Sequence, residues 1–103
     1  MAKLTLNAAP TFKAKVGVPV AGGASVDVEF TFRHRTKKQL EEFVQGISGQ
    51  KDVDTFMAMV IGWELEDEFN PANVEKLLDN YIGAALAIYQ AYLEELVKAK
   101  EKN

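Results

Sequence analysis

Cysteine is absent, which removes disulfide staples, thiolate nucleophiles and cysteine-built metal sites. Histidine occurs once, as His34, so no pair of imidazoles is available to hold a metal. No stretch approaches the roughly 20 apolar residues that a membrane-spanning helix needs. The first residues, Met1-Ala2-Lys3-Leu4-Thr5-Leu6, are too short and too polar a run for a signal peptide. The expectation is a soluble intracellular protein with no membrane partner. An excess of basic charge is also lacking, with 12 Lys and Arg against 15 Asp and Glu. The net charge is −3, against the clustered Lys and Arg that nucleic acid demands. The excess of acid is equally too small for a mimic of DNA. What charge there is lies unevenly: Lys13, Lys15, Arg33, Arg35, Lys37 and Lys38 come early, and most carboxylates come later.

The 103 residues suit one domain, 1–103, with a strand region over 1–35 and a helical region over 36–103. Leu4 and Leu6 alternate with polar residues ahead of Pro10, as a short edge strand or a loose arm would. From Thr11 to Val18, Phe12, Ala14, Val16 and Val18 alternate with Lys13 and Lys15. From Ser25 to Arg33, Val26, Val28, Phe30 and Phe32 alternate with Asp27, Glu29, Thr31 and Arg33. Period two with β-branched and aromatic residues predicts two half-buried strands. Pro19 and Gly22-Gly23 place a turn between them. The result is an antiparallel hairpin, with Lys13 or Lys15 opposite Asp27 or Glu29. A lone hairpin is marginal in water, so its apolar face needs helices or another strand.

Thr36-Lys37-Lys38-Gln39 has the form of a capping box, and Leu40, Phe43, Val44 and Ile47 come after it at helical spacing. A helix is predicted over about 37–46, closed by glycine. Asp52 or Asp54 caps a second helix, whose stripe is Val53, Phe56, Met57, Val60 and Ile61 and whose end is Gly62. Trp63 and Phe69 then fall on a turn between helices and plug the space there. Asn70-Pro71 starts a third helix, since Asn caps free N–H groups and Pro fits the first helical position. The last helix is predicted over about 82–100. One face carries Ile82, Leu86, Tyr89, Leu93, Leu96 and Val97, and an adjoining face carries Ala85, Ile88, Tyr92 and Ala99. That is wider than the apolar stripe a surface helix buries. One bent helix running through Gly83 is an alternative to two. The fold class is α+β: an N-terminal hairpin, with room for a third strand, packed on three or four helices.

No catalytic constellation emerges. His34 lies between Arg33 and Arg35, and two cations disfavour its charged form, but a strand end held by charged residues is the preferred reading. Glu64, Glu66, Asp67 and Glu68 form an acidic run without the spacing or the glycine of a calcium loop, so a solvated turn is preferred to a metal site. Gly22-Gly23 is followed by no Gly-Lys-Ser/Thr, and no serine sits in a nucleophile elbow. Neither a metal nor a cofactor is expected, nor an enzyme. Surplus apolar surface on the last helix points instead to a binding module. Tyr89, Tyr92, Leu93 and Leu96 are its candidate partner-binding residues, with Glu64, Glu66, Asp67 and Glu68 as a second, acidic candidate.

One further set of residues bears on function. Gly62-Trp63, Phe69-Asn70-Pro71, Leu77-Leu78-Asp79-Asn80-Tyr81, Gly83-Ala84-Ala85, Tyr89, Tyr92-Leu93 and Lys102-Asn103 together resemble the small tail assembly chaperones of phages and prophages. The resemblance is good over the C-terminal half and looser before it. It implies a non-enzymatic protein made in the cytoplasm of the infected bacterium and missing from the mature virion. Such a protein coats the long helical tape-measure protein and helps recruit tail tube subunits, with self-association along the rod. A rival reading is a small phage-encoded inhibitor that sets the acidic turn against a basic host protein.

Overall fold

The computed structural model describes residues 3–98. Its elements in chain order are β1 (Thr11–Val18), β2 (Val26–Arg33), α1 (Lys37–Gly46), α2 (Asp52–Met59), β3 (Val60–Trp63), α3 (Pro71–Asn80) and α4 (Ala84–Val97). The strands form one antiparallel sheet in the order β1-β2-β3. The architecture is thus α+β, a hairpin and a third strand with four helices.

The alternation read in the sequence sets the two faces of the hairpin. Val16, Val18, Val28, Phe30 and Phe32 are buried, while Lys13, Lys15, Asp27 and Arg33 are exposed. Of the charge pairs the pattern allowed, Lys15 stands opposite Glu29, while Lys13 faces Thr31 and Asp27 faces Gly17. The turn is closed by the Gly23 N–H donating to the Val20 carbonyl at 3.0 Å. Gly22 has φ +78°, the conformation a type II turn needs and glycine gives without strain. Beyond this turn the chain meets the α3–α4 junction closely: a Cβ on Gly83 would lie 3.1 Å from Pro19 Cγ.

Helix starts obey local chemistry. In α1 the Thr36 hydroxyl accepts from the Gln39 N–H at 3.2 Å, and the Gln39 side chain accepts from the Thr36 N–H at 2.9 Å. In α3 the Asn70 side chain accepts from the Asn73 N–H at 2.8 Å, with Pro71 as the first helical residue. For α2 the expectation needs correcting. The cap position is Lys51, without a side-chain bond, and Asp52 and Asp54 lie inside the first turn. There their charge favours the helix through its dipole.

Two larger corrections concern the C-terminal end of α2 and the N-terminal end of α4. Val60 and Ile61 do not extend α2. The helix stops at Met59, and the next residue is already extended, with φ −111° and ψ 137°. Val60–Trp63 is the third strand, pairing Phe30 with Trp63, Thr31 with Gly62 and Phe32 with Val60. The slip in that register leaves Ile61 as a bulge, turned outward and partly exposed. The third strand therefore lies inside the helical region, not in the Leu4–Leu6 segment, which is exposed and unpaired. Residues 71–97 form two helices rather than one bent helix, because Tyr81 leaves helical geometry at φ −122°, ψ 87°. The last helix starts at Ala84 rather than Ile82, and Ala99 and Lys100 lie outside the described residues.

The core joins the inner face of the sheet to α2, α3 and α4. Phe30, Phe32, Phe56, Met59, Val60, Val74, Ile88 and Tyr92 are its largest enclosed side chains. Two runs of rings cross it. One passes from Phe12 through Phe32 and Tyr92 to Phe43. The other passes from Phe30 through Phe56 and Trp63 to Phe69, closing on an edge-to-face contact at 5.1 Å. Trp63 and Phe69 are half-buried plugs, and the Trp63 indole N–H donates to the Asp67 carbonyl at 2.8 Å. Among the described residues no helix is long and apolar enough to cross a membrane.

Candidate partner-binding site

Helix α4 divides its side chains between the core and the outside. Ala84, Ile88, Ala91 and Tyr92 are buried. Ile82, just ahead of the helix, is 92% exposed, Leu86 is 61% exposed and Val97 is 69% exposed. Tyr89, Leu93 and Leu96 are half-buried between these extremes. Ile82, Leu86, Tyr89, Leu93 and Leu96 are spaced four, three, four and three residues apart. Within α4, Leu86, Tyr89, Leu93 and Leu96 thus keep the heptad spacing of a helix seam, and Ile82 stands in the turn ahead of it. Tyr89 and Leu96 lean on the core with one flank, and Ile82 and Leu86 are mostly open to solvent.

Two grooves border the seam. One, of about 320 Å³, lies between α2 and α4 and is lined by Ile47, Phe56, Met59, Ile82, Ala85, Leu86 and Tyr89, with Gln50, Asp52 and Thr55 at its polar side. The other, shallower, runs between α4 and β1 and is lined by Val16, Ala87, Ala91 and Leu93, with Lys15, Gln90 and Glu94. The seam's exposed positions are aliphatic, so the attraction it offers is burial of apolar surface rather than directed polar contact.

Of the residues singled out in the sequence, Tyr89, Leu93 and Leu96 lie together on this stripe. Tyr92 does not. Its ring is wholly enclosed, its hydroxyl donates to the Arg33 carbonyl at 2.7 Å, and the Arg35 guanidinium donates to that hydroxyl at 2.9 Å. It offers no surface to a partner. In the sequence Ile82 and Leu86 stand out only as members of the face, although they are its most exposed members. A signal for them exists, since they continue the heptad of Tyr89 and Leu93 toward the N-terminus.

The acidic residues sit elsewhere, on the turn after β3, and all four are exposed. None lines either groove beside α4, and Asp67 faces a separate groove against α3. Their turn is tied down mostly through main-chain atoms: Asp67 and Glu68 carbonyls accept from Trp63 and Asn73 side chains at 2.8 and 2.7 Å. The Glu64 carboxylate accepts from the Glu29 N–H, and the Glu64 N–H donates to the Glu29 carbonyl at 3.1 Å, which prolongs the β2–β3 pairing. No group of three or more His, Cys, Asp or Glu suited to a metal occurs among the described residues. His34 is half-buried at the end of β2, and its backbone N–H donates to the Pro10 carbonyl at 2.9 Å.

A family model described as phage tail assembly chaperone matches residues 1–103, the whole chain. The chain belongs to the phage tail assembly chaperone family. No curated protein and no solved structure matches it. A tail assembly chaperone is not an enzyme; it works during assembly in the host, and its partners are tail proteins.

Proposed function

We propose that this chaperone holds the tape-measure protein by its helices, through the outward stripe of α4, and helps recruit tail tube subunits to it. It does so in the cytoplasm of the bacterial host and is absent from the mature virion. The observation that carries the reading is the heptad spacing of Leu86, Tyr89, Leu93 and Leu96 along α4, combined with the exposure of Leu86 and of Ile82 just ahead of the helix. Burying one such side chain contributes about 1.5–3 kcal/mol. A few of them, less the cost of ordering the contact, give a weak individual grip. Repetition along a rod turns weak grips into firm coverage without new contacts, and each remains reversible when the tube replaces the chaperone.

Co-expression with the tape-measure protein tests this. The wild-type chain should co-purify with it. The pair Leu86→Asp and Leu93→Asp should weaken recovery by about tenfold or more, which corresponds to about 1.4 kcal/mol, while circular dichroism stays unchanged. Neutralising the acidic turn with Glu66→Gln, Asp67→Asn and Glu68→Gln should leave recovery intact. The opposite pattern, loss with the neutralised turn and none with the stripe variant, would remove the proposal and favour an acidic inhibitor of a basic host protein.

A further inference from the structure

The outer edge of β1 is open. In the order β1-β2-β3 this strand has β2 on one side and, among the described residues, no strand on the other. The Pro10 carbonyl accepts from the His34 N–H, which sets the parity of the ladder: Phe12, Ala14, Val16 and Val18 exchange bonds with β2. Thr11, Lys13, Lys15 and Gly17 therefore aim their N–H and C=O groups away from β2, along about 20 Å of edge. The last three of these residues are exposed. Such a row of backbone groups is a template for another extended chain.

Beside the edge there is a floor. The groove between β1 and α4 has Val16 and Gly17 along one side and Ala87, Ala91 and Leu93 along the other. Ala87 and Ala91 are short, and leave depth for side chains from one more strand. Inward positions of an added strand would stand beside Ala14 and Val16 over this floor, where Glu94 disfavours a carboxylate. Outward positions would stand beside Lys13 and Lys15, where a carboxylate is favoured. Lys13 faces Thr31 across the β1–β2 pair, and Glu29, opposite Lys15, is a strand further in.

Charge and reach also select the occupant. Two copies meeting edge to edge about Ala14 would set Lys13 of each against Lys15 of the other, which repels. The chain's own arm falls short. After the tightest reversal, a turn at Ala8-Ala9, Asn7 pairs with Pro10 and Lys3 with Ala14, ahead of the groove. That arm also brings a lysine and no carboxylate. We propose that the open edge of β1 takes a strand from a partner protein as the fourth strand of the sheet, an extended segment with apolar residues inward and Asp or Glu outward in alternation. This surface differs from the α4 stripe proposed to hold a helix. Leu86 is not among the residues that line it, so the two readings fail separately.

Hydrogen exchange followed by NMR on the full chain tests the proposal, with a blocked octapeptide alternating Val and Glu as the probe. In the free chain the amides of Lys13, Lys15 and Gly17 should exchange fast and those of Ala14 and Val16 slowly. With about 1 mM peptide the fast three should slow by about tenfold or more, as new ladder bonds form. A peptide alternating Val and Lys should bind about tenfold more weakly or worse, and Lys13→Glu with Lys15→Glu should reverse that preference. Lys15→Pro removes one outward N–H and no bond to β2. It should abolish the slowing at Lys13 and Gly17 with the melting temperature unchanged, whereas Lys15→Gln should keep part of it. Gly17→Pro, read at Lys13 and Lys15, serves should Lys15→Pro unfold. Leu86→Asp should change nothing. Edge amides already slow in the free chain, no slowing at that peptide concentration, equal binding of the two peptides, or a slowing that Leu86→Asp removes would each overturn the inference.

Discussion

At the scale of single residues, Tyr92 ties together more of the chain than any other side chain in the core. It stacks on Phe32 of β2 at 5.4 Å and lies parallel to Phe12 of β1 at 6.2 Å, and Phe43 of α1 meets its edge at 6.0 Å. Its hydroxyl bridges the Arg33 carbonyl and Arg35. Arg35 in turn donates to the Ala58 carbonyl at 2.7 Å and lies over the Phe43 ring at 4.3 Å. Tyr92→Phe keeps the ring but leaves the Arg33 carbonyl and one Arg35 donor without this partner. Urea unfolding should show a loss of about 0.5–1.5 kcal/mol, the net worth of a part-buried hydrogen bond. Leu93→Asp, one residue along and at the surface, should cost far less stability. Sequence spacing assigns Tyr92 and Ile88 to a common face, which they share. It cannot say that a distant arginine and two backbone carbonyls meet there and fix that face as the inner one.

At the scale of elements, β3 and the acidic turn after it form one unit. Glu64 continues the β2–β3 ladder through both its N–H and its carboxylate. Glu66 has no comparable role, being exposed on the turn. Glu64→Ala should therefore cost about 0.5–1.5 kcal/mol in thermal or urea unfolding, and Glu66→Ala should stay within about 0.5 kcal/mol of wild type. Equal effects would mean that the turn acts only through its summed charge. This region also marks the boundary of what the sequence discloses. The hairpin, the capping box at Thr36 and the Asn70-Pro71 start are local signals, and each is legible because its physics is local. Val60 and Ile61 are not, because a short apolar run fits a helical stripe and a strand equally well. Only the neighbouring Phe30 and Phe32, far away in sequence, decide for the strand. The break at Tyr81 is ambiguous for a related reason: the apolar spacing runs through it in phase. The candidate site divides the same way. Periodicity finds the stripe of Tyr89, Leu93 and Leu96, and misses which of its members the fold leaves most bare.

At the scale of the whole molecule, one small core closes over its own aromatics and leaves two apolar surfaces unfinished. One is a helix seam with aliphatic contacts. The other is a groove between the hairpin and α3 whose polar rim carries both Asp67 and Lys76. Salt tests what holds a partner on the seam. Raising salt from about 0.1 M to about 1 M shortens the Debye length from roughly 10 Å to 3 Å. Capture of a tape-measure helix on the seam should be nearly indifferent to that change, and calorimetry should return the negative heat-capacity change of apolar burial. A seam contact that collapsed in salt would point to the charged flanks of α4, Gln90 aside, as its true source of affinity: Glu94 lines the groove next to Leu93 and Lys15 stands across it.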